Sequence, residues 1–149
     1  MSIELRKLDP EKIDEIKDLF VSVYSGEPWN ENWSDRKLLD EYFRELTEVR
    51  HSLNYTLYDD NELIGASIGK IKHWCGGTEY FIEEFFIRND RQNKGYGHKF
   101  MTLIEEGLKQ IDVHQIYLVT DRDKPAYDFY QKAGFNELPQ LTSFFKEFK

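Results

Sequence analysis

The chain is poor in cysteine and has no long apolar run: Cys75 is the single cysteine among 149 residues. One cysteine cannot form an internal disulfide, so we expect Cys75 to be a structural bystander in a reducing compartment, by default the cytoplasm. Because a membrane-spanning helix needs about 20 consecutive apolar residues, the sequence predicts a soluble protein without a membrane partner. The segment after Met1 is amphipathic rather than secretory in pattern, which favours the same location.

Basic residues are outnumbered: 20 Lys and Arg stand against 28 Asp and Glu, which gives a net charge of −8. This balance predicts no nucleic-acid partner and favours a cationic small molecule or a basic peptide end as the ligand. Acidity for solubility alone is the alternative explanation. The histidines show no metal-ligand spacing with one another or with Cys75, so we expect no metal site. They are His51, His73, His98 and His114.

The chain shows no internal repeat, low-complexity segment or linker, and its length fits a single domain over residues 1–149. Aromatic residues make up 15% of it, which favours a substantial sheet. Alternating patterns predict strands at 2–8, 53–58, 63–74, 80–87, 115–120, 135–138 and 141–148. Helical spacing predicts helices around 13–23, 38–46, 97–111 and 123–133, the second with Ser34 as its N-cap.

Two features of these strands carry further expectations. The strands at 80–87 and 115–120 flank a helix, and such crossovers are right-handed, so we expect the two strands to be parallel within a mostly antiparallel sheet. Gly65 and Gly69 lie four residues apart and therefore on one face of their strand. Glycines in that arrangement suggest the close approach of another element or a bulge.

The segment 80–100 combines a strand, a glycine turn and the start of a helix. A helix start attracts anions through its unpaired N–H groups, and glycines let a ligand approach the backbone, so phosphate is the natural ligand. A P-loop is excluded because His98 and Lys99 follow Gly97. A dinucleotide fingerprint is excluded because Phe100 stands where a third small residue is required.

Two segments carry a resemblance to a known family. Residues 92–97 are Gln92, Asn93, Lys94, Gly95, Tyr96 and Gly97. They resemble the Q/R-x-x-G-x-G/A signature of the GNAT superfamily of N-acetyltransferases. Residues 123–135 are similar to that family's N-x-x-A-x-x-F-Y-x-x-x-G-F segment, with Asp123 in place of Asn. Asp123 also fits the N-cap of a short helix, and Gly134 fits its C′ position.

The resemblance implies an α/β (α+β) fold: a GNAT-like mixed, mostly antiparallel central sheet with flanking helices and one parallel strand pair around the cofactor cleft. It implies acetyl-CoA as co-substrate, with the pyrophosphate bound by the turn from Gln92 to His98. The backbone of Phe85, Phe86 and Ile87 matches the family segment that hydrogen-bonds the pantetheine arm.

Two more cofactor positions follow from the same resemblance. Asp123 matches a position near the pantetheine that is often Asn, where the carboxylate lacks the amide donor. Tyr130 aligns with the tyrosine that, in many family members, donates a proton to the departing thiolate. A phenol with a pKa of about 10 can donate that proton at pH 7.

An alkyl amine also has a pKa of about 10, so acetyl transfer near neutral pH needs a base or a water chain. The candidates are Glu83 and Glu84 on the central strand. Adjacent strand residues point to opposite faces, so only one can face the acceptor unless a bulge intervenes. The family's strand pattern aligns Glu84 with a frequently acidic position, which ranks Glu84 first. With no G-x-S-x-G and no Ser or Cys nucleophile signal, direct transfer in a ternary complex is the economical mechanism.

Residues 27–33 form a Pro-containing loop with two tryptophans and two carboxylates. In the family, the segment between the first two helices commonly shapes the acceptor site, and members resembling aminoglycoside acetyltransferases carry a similar EPW-type stretch. We therefore name Glu27, Trp29 and Trp33 as candidate substrate-binding residues. The alternative is that the tryptophans only staple the loop to the core.

The leading hypothesis is an acetyl-CoA-dependent N-acetyltransferase acting on a primary amine of a small, cationic acceptor. There are two alternatives: the acceptor is an amine of a protein or peptide, or the domain is a non-catalytic acyl-CoA sensor. Tyr130 and the acidic pair argue against a sensor, and the Trp-rich loop favours a walled pocket over an open peptide groove. The sequence is compatible with several acceptor amines, and with either a monomer or a homodimer.

Overall fold

The computed structural model describes residues 2–149, which divide into two compact units, one ending at Val119 and the other covering Thr120–Lys149. The described part of the first unit contains β1 (Ile3–Lys7), α1 (Ile13–Tyr24), α2 (Arg36–Thr47), β2 (Ser52–Asp59), β3 (Glu62–Lys72), β4 (Glu79–Ile87), α3 (Tyr96–Gln110) and β5 (Gln115–Leu118). Short 3-10 turns lie at Pro10–Lys12 and Asn89–Arg91, and the second unit contains α4 (Pro125–Lys132). No helix within residues 2–149 combines the length and the apolarity needed to cross a membrane.

The strands form one sheet in the order β1-β2-β3-β4-β5. Strands β1 to β4 run antiparallel to their neighbours, whereas β4 and β5 are parallel, from Glu79 opposite Gln115 to Ile82 opposite Leu118. Helix α3 supplies the crossover that a parallel pair requires. The predicted fold class, a mixed and mostly antiparallel sheet with flanking helices and one parallel pair, is confirmed.

Helices cover both faces of the sheet. Phe85 and Phe86 are neighbours on β4 and therefore point to opposite faces. Phe86 packs against Phe20 of α1, with ring centroids 5.6 Å apart, in a core that α1 and α2 share with β3. Phe85 stacks on Phe100 of α3 with ring centroids 5.2 Å apart. Helices α1 and α2 thus lie on one face, and α3 lies on the other.

The N-cap predicted for α2 is wrong by one residue. The cap is Asp35 rather than Ser34, since the Asp35 carboxylate accepts hydrogen bonds from the backbone N–H groups of Lys37 and Leu38 at 3.1 and 3.2 Å. Both residue types favour caps, and a carboxylate also interacts favourably with the positive end of the helix dipole. Sequence preference alone did not separate the two adjacent candidates.

The two strands predicted near the carboxyl end are also wrong. Residues 135–149 form no strand in the described chain. Phe144, Phe145 and Phe148 are 95%, 90% and 83% exposed there. Aromatic content and alternation report a local preference, whereas a strand also needs backbone hydrogen bonds from a neighbouring strand. The sequence pattern does not specify that neighbour.

Candidate active site

A β-bulge in β4 sets the positions of the two candidate bases. Gly69 of β3 lies opposite Ile82 and Ile68 lies opposite Glu84, so Glu83 has no partner across the strands. A Cβ on Gly69 would lie 2.4 Å from a backbone carbonyl oxygen of β4, a contact that only glycine avoids. Both effects suggested for this glycine, close approach and a bulge, are therefore present at one place.

The bulge gives the two glutamates different surroundings. Glu83 is exposed, whereas Glu84 is partly buried on the face covered by α1 and α2. The hydroxyl of Tyr42, on α2, donates a hydrogen bond to Oε2 of Glu84. On α1, the hydroxyl of Tyr24 donates to the carbonyl oxygen of Phe85 at 3.2 Å. Of the two acids, Glu84 is thus the one held inside a cluster of tyrosines.

Burial raises the pKa of Glu84 from 4.5 to about 7. The hydrogen bond from Tyr42 opposes this effect, and the nearby carboxylates of Glu31 and Glu83 add to it. Burial and the Glu84 carboxylate together raise the pKa of the Tyr42 phenol, so Tyr42 remains a hydrogen-bond donor at neutral pH. A carboxyl group with a pKa near 7 can accept and release a proton close to neutral pH, as acid–base catalysis requires.

The loop of residues 25–35 packs against the same cluster. Trp33 stacks on Tyr42 with ring centroids 5.1 Å apart and planes inclined by 23°, and its indole N–H donates to Glu31 at 2.8 Å. Trp29 packs edge-on against Tyr24 at 5.3 Å. Both tryptophans are partly buried against the core, so they do staple the loop. Their predicted contact with an acceptor, and that of the exposed Glu27, stays a prediction.

The glycine turn lies between β4 and α3. The side-chain amide of Gln92 donates to the carbonyl oxygen of Ile87 at 2.9 Å, which ties the turn to the end of β4. Gly95 has a φ of +87°, a left-handed conformation that glycine adopts without strain, and no atom lies within 4 Å of the place its Cβ would take. The turn's other candidate cofactor residues are exposed (Asn93, Lys94, His98) or partly buried in the first turn of α3 (Tyr96, Gly97).

An ion pair that the sequence did not predict anchors this turn. Arg91 donates to the buried Asp59, the last residue of β2, at 2.6 Å, and the Tyr96 hydroxyl donates to the same carboxylate oxygen at 3.2 Å. Burial raises the pKa of Asp59, but the hydrogen bonds from Arg91 and Tyr96 outweigh it, so the net pKa is lowered. Asp59 and Asp60 both lie in the polar stretch between the predicted strands at 53–58 and 63–74, and nothing local distinguishes the two.

The second unit carries the remaining candidates, Tyr130 and Asp123. The predicted N-cap Asp123 is wrong: Lys124 is the cap, because Pro125 begins the helix and favours an extended residue before it. Gly134, with a φ of +93°, follows the helix end as predicted. The Tyr130 ring packs edge-on against Phe135 at 5.3 Å and against its neighbour Phe129 at 5.2 Å. These contacts fix the orientation of the Tyr130 ring within its unit.

The family is identified by a match over most of the chain, rather than by the two motif segments at 92–97 and 123–135 alone. The model of the acetyltransferase (GNAT) family matches residues 13–135. The chain belongs to the GNAT acetyltransferase family. No curated protein matches this GNAT chain in sequence.

Solved structures share its fold at low sequence identity. An integron cassette protein from the mobile metagenome of V. cholerae is 14% identical, with a TM-score of 0.80 over 99% of this chain and 93% of that chain. AAC(6')-Iy, in complex with the bisubstrate analogue CoA-S-monomethyl-acetylneamine, is 16% identical, with a TM-score of 0.72 over 99% of both chains. The aminoglycoside 6'-N-acetyltransferase AAC(6')-Ih from Acinetobacter baumannii is 17% identical, with a TM-score of 0.72 over 99% of this chain and 100% of that chain. Likeness at these identities shows the GNAT fold alone.

GNAT enzymes use acetyl-CoA, and two observations fit that ligand. The open space beside Gly95 and the start of the 15-residue helix α3 offer backbone N–H groups to a pyrophosphate. Strand β5 pairs only with residues 79–82 of β4, so it does not cover residues 83–87 on that side. An extended pantetheine arm could hydrogen-bond that edge of the strand. No group of three or more His, Cys, Asp or Glu side chains within residues 2–149 is arranged to hold a metal.

The raised pKa of Glu84 predicts a pH-dependent stability. A carboxyl whose pKa rises from 4.5 to about 7 on folding stabilises the fold fully below pH 4.5, and this contribution is lost as pH rises through about 7. In urea unfolding between pH 5 and 8.5, we expect wild type to lose about 2–3 kcal/mol relative to Glu84→Gln. Glu83→Gln is the matched control, and its difference from wild type should change much less with pH, because it leaves the Glu84 carboxyl in place and removes only one of the causes that raise its pKa. A constant difference for Glu84→Gln would contradict the raised pKa.

Proposed function

We propose that the protein is an N-acetyltransferase that moves the acetyl group of acetyl-CoA to a primary amine of a small, cationic acceptor. The observation that carries the proposal is the Glu84 carboxyl, partly buried with a pKa of about 7, at the bulge in β4 where pairing with β5 ends. In this proposal Glu84 is the general base and Tyr130 is the general acid. Glu83 is the second candidate for the base.

The raised pKa of Glu84 matters for the proton transfer. An alkyl ammonium has a pKa of about 10, so transferring its proton to an ordinary carboxylate is uphill by about 8 kcal/mol. With a base of pKa about 7, the same transfer is uphill by about 4 kcal/mol. Glu84 can therefore generate the neutral amine at a cost that enzymes overcome readily.

The chemical steps balance without another co-reactant. Glu84 takes one proton from the ammonium, and the amine nitrogen attacks the thioester carbonyl carbon. The new C–N bond forms, the C–S bond breaks, and the thiolate takes a proton from Tyr130. The nitrogen's second proton restores the Tyr130 phenol through solvent, and Glu84 releases its proton to water.

The proposed acceptor class rests on charge and shape. Glu31, Glu83 and Glu84 are close enough for two of them to raise the pKa of the third, and among residues 2–149 none of the three forms an ion pair with Lys or Arg. Trp29 and Trp33 wall the same cluster, and aromatic faces bind ammonium groups well. Solved GNAT neighbours include aminoglycoside acetyltransferases, which weakly supports the same class.

A screen of primary amines with detection of the released thiol tests this function. We expect turnover with small polycationic amines, and a fall in kcat of about 10² or more for Glu84→Gln at saturating amine and pH 7.5. Glu83→Gln is the paired variant and should stay within about threefold of wild type. If no amine in the screen is acetylated, the proposed function is contradicted. If Glu84→Gln is fully active, the assignment of Glu84 as the base is contradicted.

The glycine turn should bind the pyrophosphate, together with the backbone of residues 85–87. Gly95→Val fills the open space beside this backbone and places a β-branched residue at a φ of +87°, so acetyl-CoA should bind at least tenfold more weakly, about 1.4 kcal/mol. Calorimetric titration of the folded variant measures this change. Gly26→Val is the control, because nothing lies within 4 Å of its Cβ position either and the residue lies outside the turn. If Gly95→Val and Gly26→Val bind acetyl-CoA with equal affinity, the turn is not the cofactor site.

The role of Tyr130 is tested by removing its hydroxyl alone. Tyr130→Phe keeps the ring that packs on Phe135, so the melting temperature and the acetyl-CoA affinity should change little. If the phenol protonates the thiolate, kcat should fall by about 10² or more across pH 6 to 9. A coenzyme A thiolate can also leave unaided or take a proton from water. Activity within twofold of wild type throughout that range would overturn the general-acid role of Tyr130.

A further inference from the structure

Tyr42 has no role in the transfer described so far, yet it is the side chain that holds Glu84. Its hydroxyl donates to Oε2 of Glu84 from the facing helix α2. Its ring is fixed on one face by Trp33, stacked at 5.1 Å, and at its edge by Phe43, perpendicular at 6.0 Å. A phenol held by two aromatic neighbours presents its hydroxyl in one place at little further entropic cost.

We propose that Tyr42 is a positioning residue for the base: its hydroxyl, fixed by the stacked Trp33 ring, holds the Glu84 carboxylate in one orientation toward the acceptor. The expected effect of Tyr42 on the reaction rate rests on the proposed acetyl transfer. The contact itself does not depend on that function. Tyr42 does not act as the base, since its own pKa is raised and it keeps its proton.

The hydrogen bond also controls the charge of Glu84. The groups that face this carboxyl are Tyr42 of α2, Tyr24 of α1, Glu31 of the loop and its own neighbour Glu83. The two carboxylates and burial favour the protonated form, whereas the tyrosine donors favour the ionised form. Without the Tyr42 hydroxyl, Glu84 should remain protonated to a higher pH and lose its fixed orientation.

The deciding variant is Tyr42→Phe, which keeps the ring and its stacking on Trp33 and removes only the donor. Glu84 is followed by NMR in protein labelled with ¹³C at the glutamate carboxyl, with Glu84→Gln assigning the signal. We expect its titration midpoint to rise by about one pH unit in Tyr42→Phe. Tyr55→Phe is the matched control, because Tyr55 is a buried tyrosine with a raised pKa whose hydroxyl does not contact Glu84. A midpoint in Tyr42→Phe within 0.2 pH units of wild type would overturn the proposal.

The kinetic measurement separates positioning from a merely structural role. The acidic limb of the kcat/KM profile should move upward with the NMR midpoint in Tyr42→Phe, so that most of the lost activity returns by pH 9. A structural role would lower activity equally at every pH and would leave the midpoint unchanged. Tyr55→Phe should keep the wild-type profile.

Failure of this inference is distinguishable from failure of the proposed function. If Glu84→Gln is fully active, the base assignment fails, while the NMR titration still tests whether Tyr42 holds Glu84. If the labelled Tyr42→Phe protein gives poor spectra, a double-mutant cycle of Tyr42→Phe and Glu84→Gln provides a second measurement. The cycle gives the coupling free energy between the two side chains from urea unfolding. Coupling should be larger at pH 8.5, where Glu84 is ionised, than at pH 5, because hydrogen bonds to ionised groups are the stronger ones. Equal coupling at both pH values would count against the proposal.

Discussion

The extra residue at Glu83 is the constraint on which the candidate site depends. The bulge shifts the alternation of β4 so that Glu84 joins Phe86 on the face covered by α1 and α2, while Glu83 is left in solvent. Pairing with β5 ends at Ile82, where the bulge begins, so the strand edge beyond it is not covered by β5. One inserted residue thus places a carboxyl group in a desolvated cluster at the point where pairing with β5 ends. Gly69 permits this geometry, because any side chain there would collide with β4.

Features encoded within a few consecutive residues were predictable from sequence. The glycine turn is an example: Gly95 takes a left-handed conformation and α3 begins at the next residue, so the motif alone predicts both the turn and the helix start. The amphipathic stripes of α1 and α3 are similar cases, since helical spacing of apolar residues reports which face is buried. The parallel β4–β5 pair followed from the handedness of crossovers, which is a rule about topology rather than about side chains.

Features that join distant residues were not predictable in the same way. Glu83 and Glu84 are chemically identical, and the choice between them depends on a bulge that sequence only allowed for. Tyr42 lies 42 positions from Glu84 and appears in the sequence as one more aromatic residue of a helix. Asp59 and Arg91 meet across 32 positions for the same reason. The predicted final strands failed because pairing, unlike propensity, is a property of two segments.

The same physics explains why the loop of residues 25–35 serves packing and chemistry together. Burying a carboxylate is costly unless donors face it, and the Tyr42 hydroxyl supplies such a donor to the partly buried Glu84. The Trp33 indole N–H donates in turn to Glu31, which is exposed. Stacking of Trp33 on Tyr42 links the two pairs, so the loop packs directly against the ring that carries the donor of Glu84. An aromatic donor satisfies a carboxylate without neutralising its charge, whereas Lys or Arg would neutralise it. The cluster therefore keeps its negative charge, which is the property that the proposed cationic acceptor requires, and Trp33 serves both the packing of the loop and the placement of the Glu84 donor.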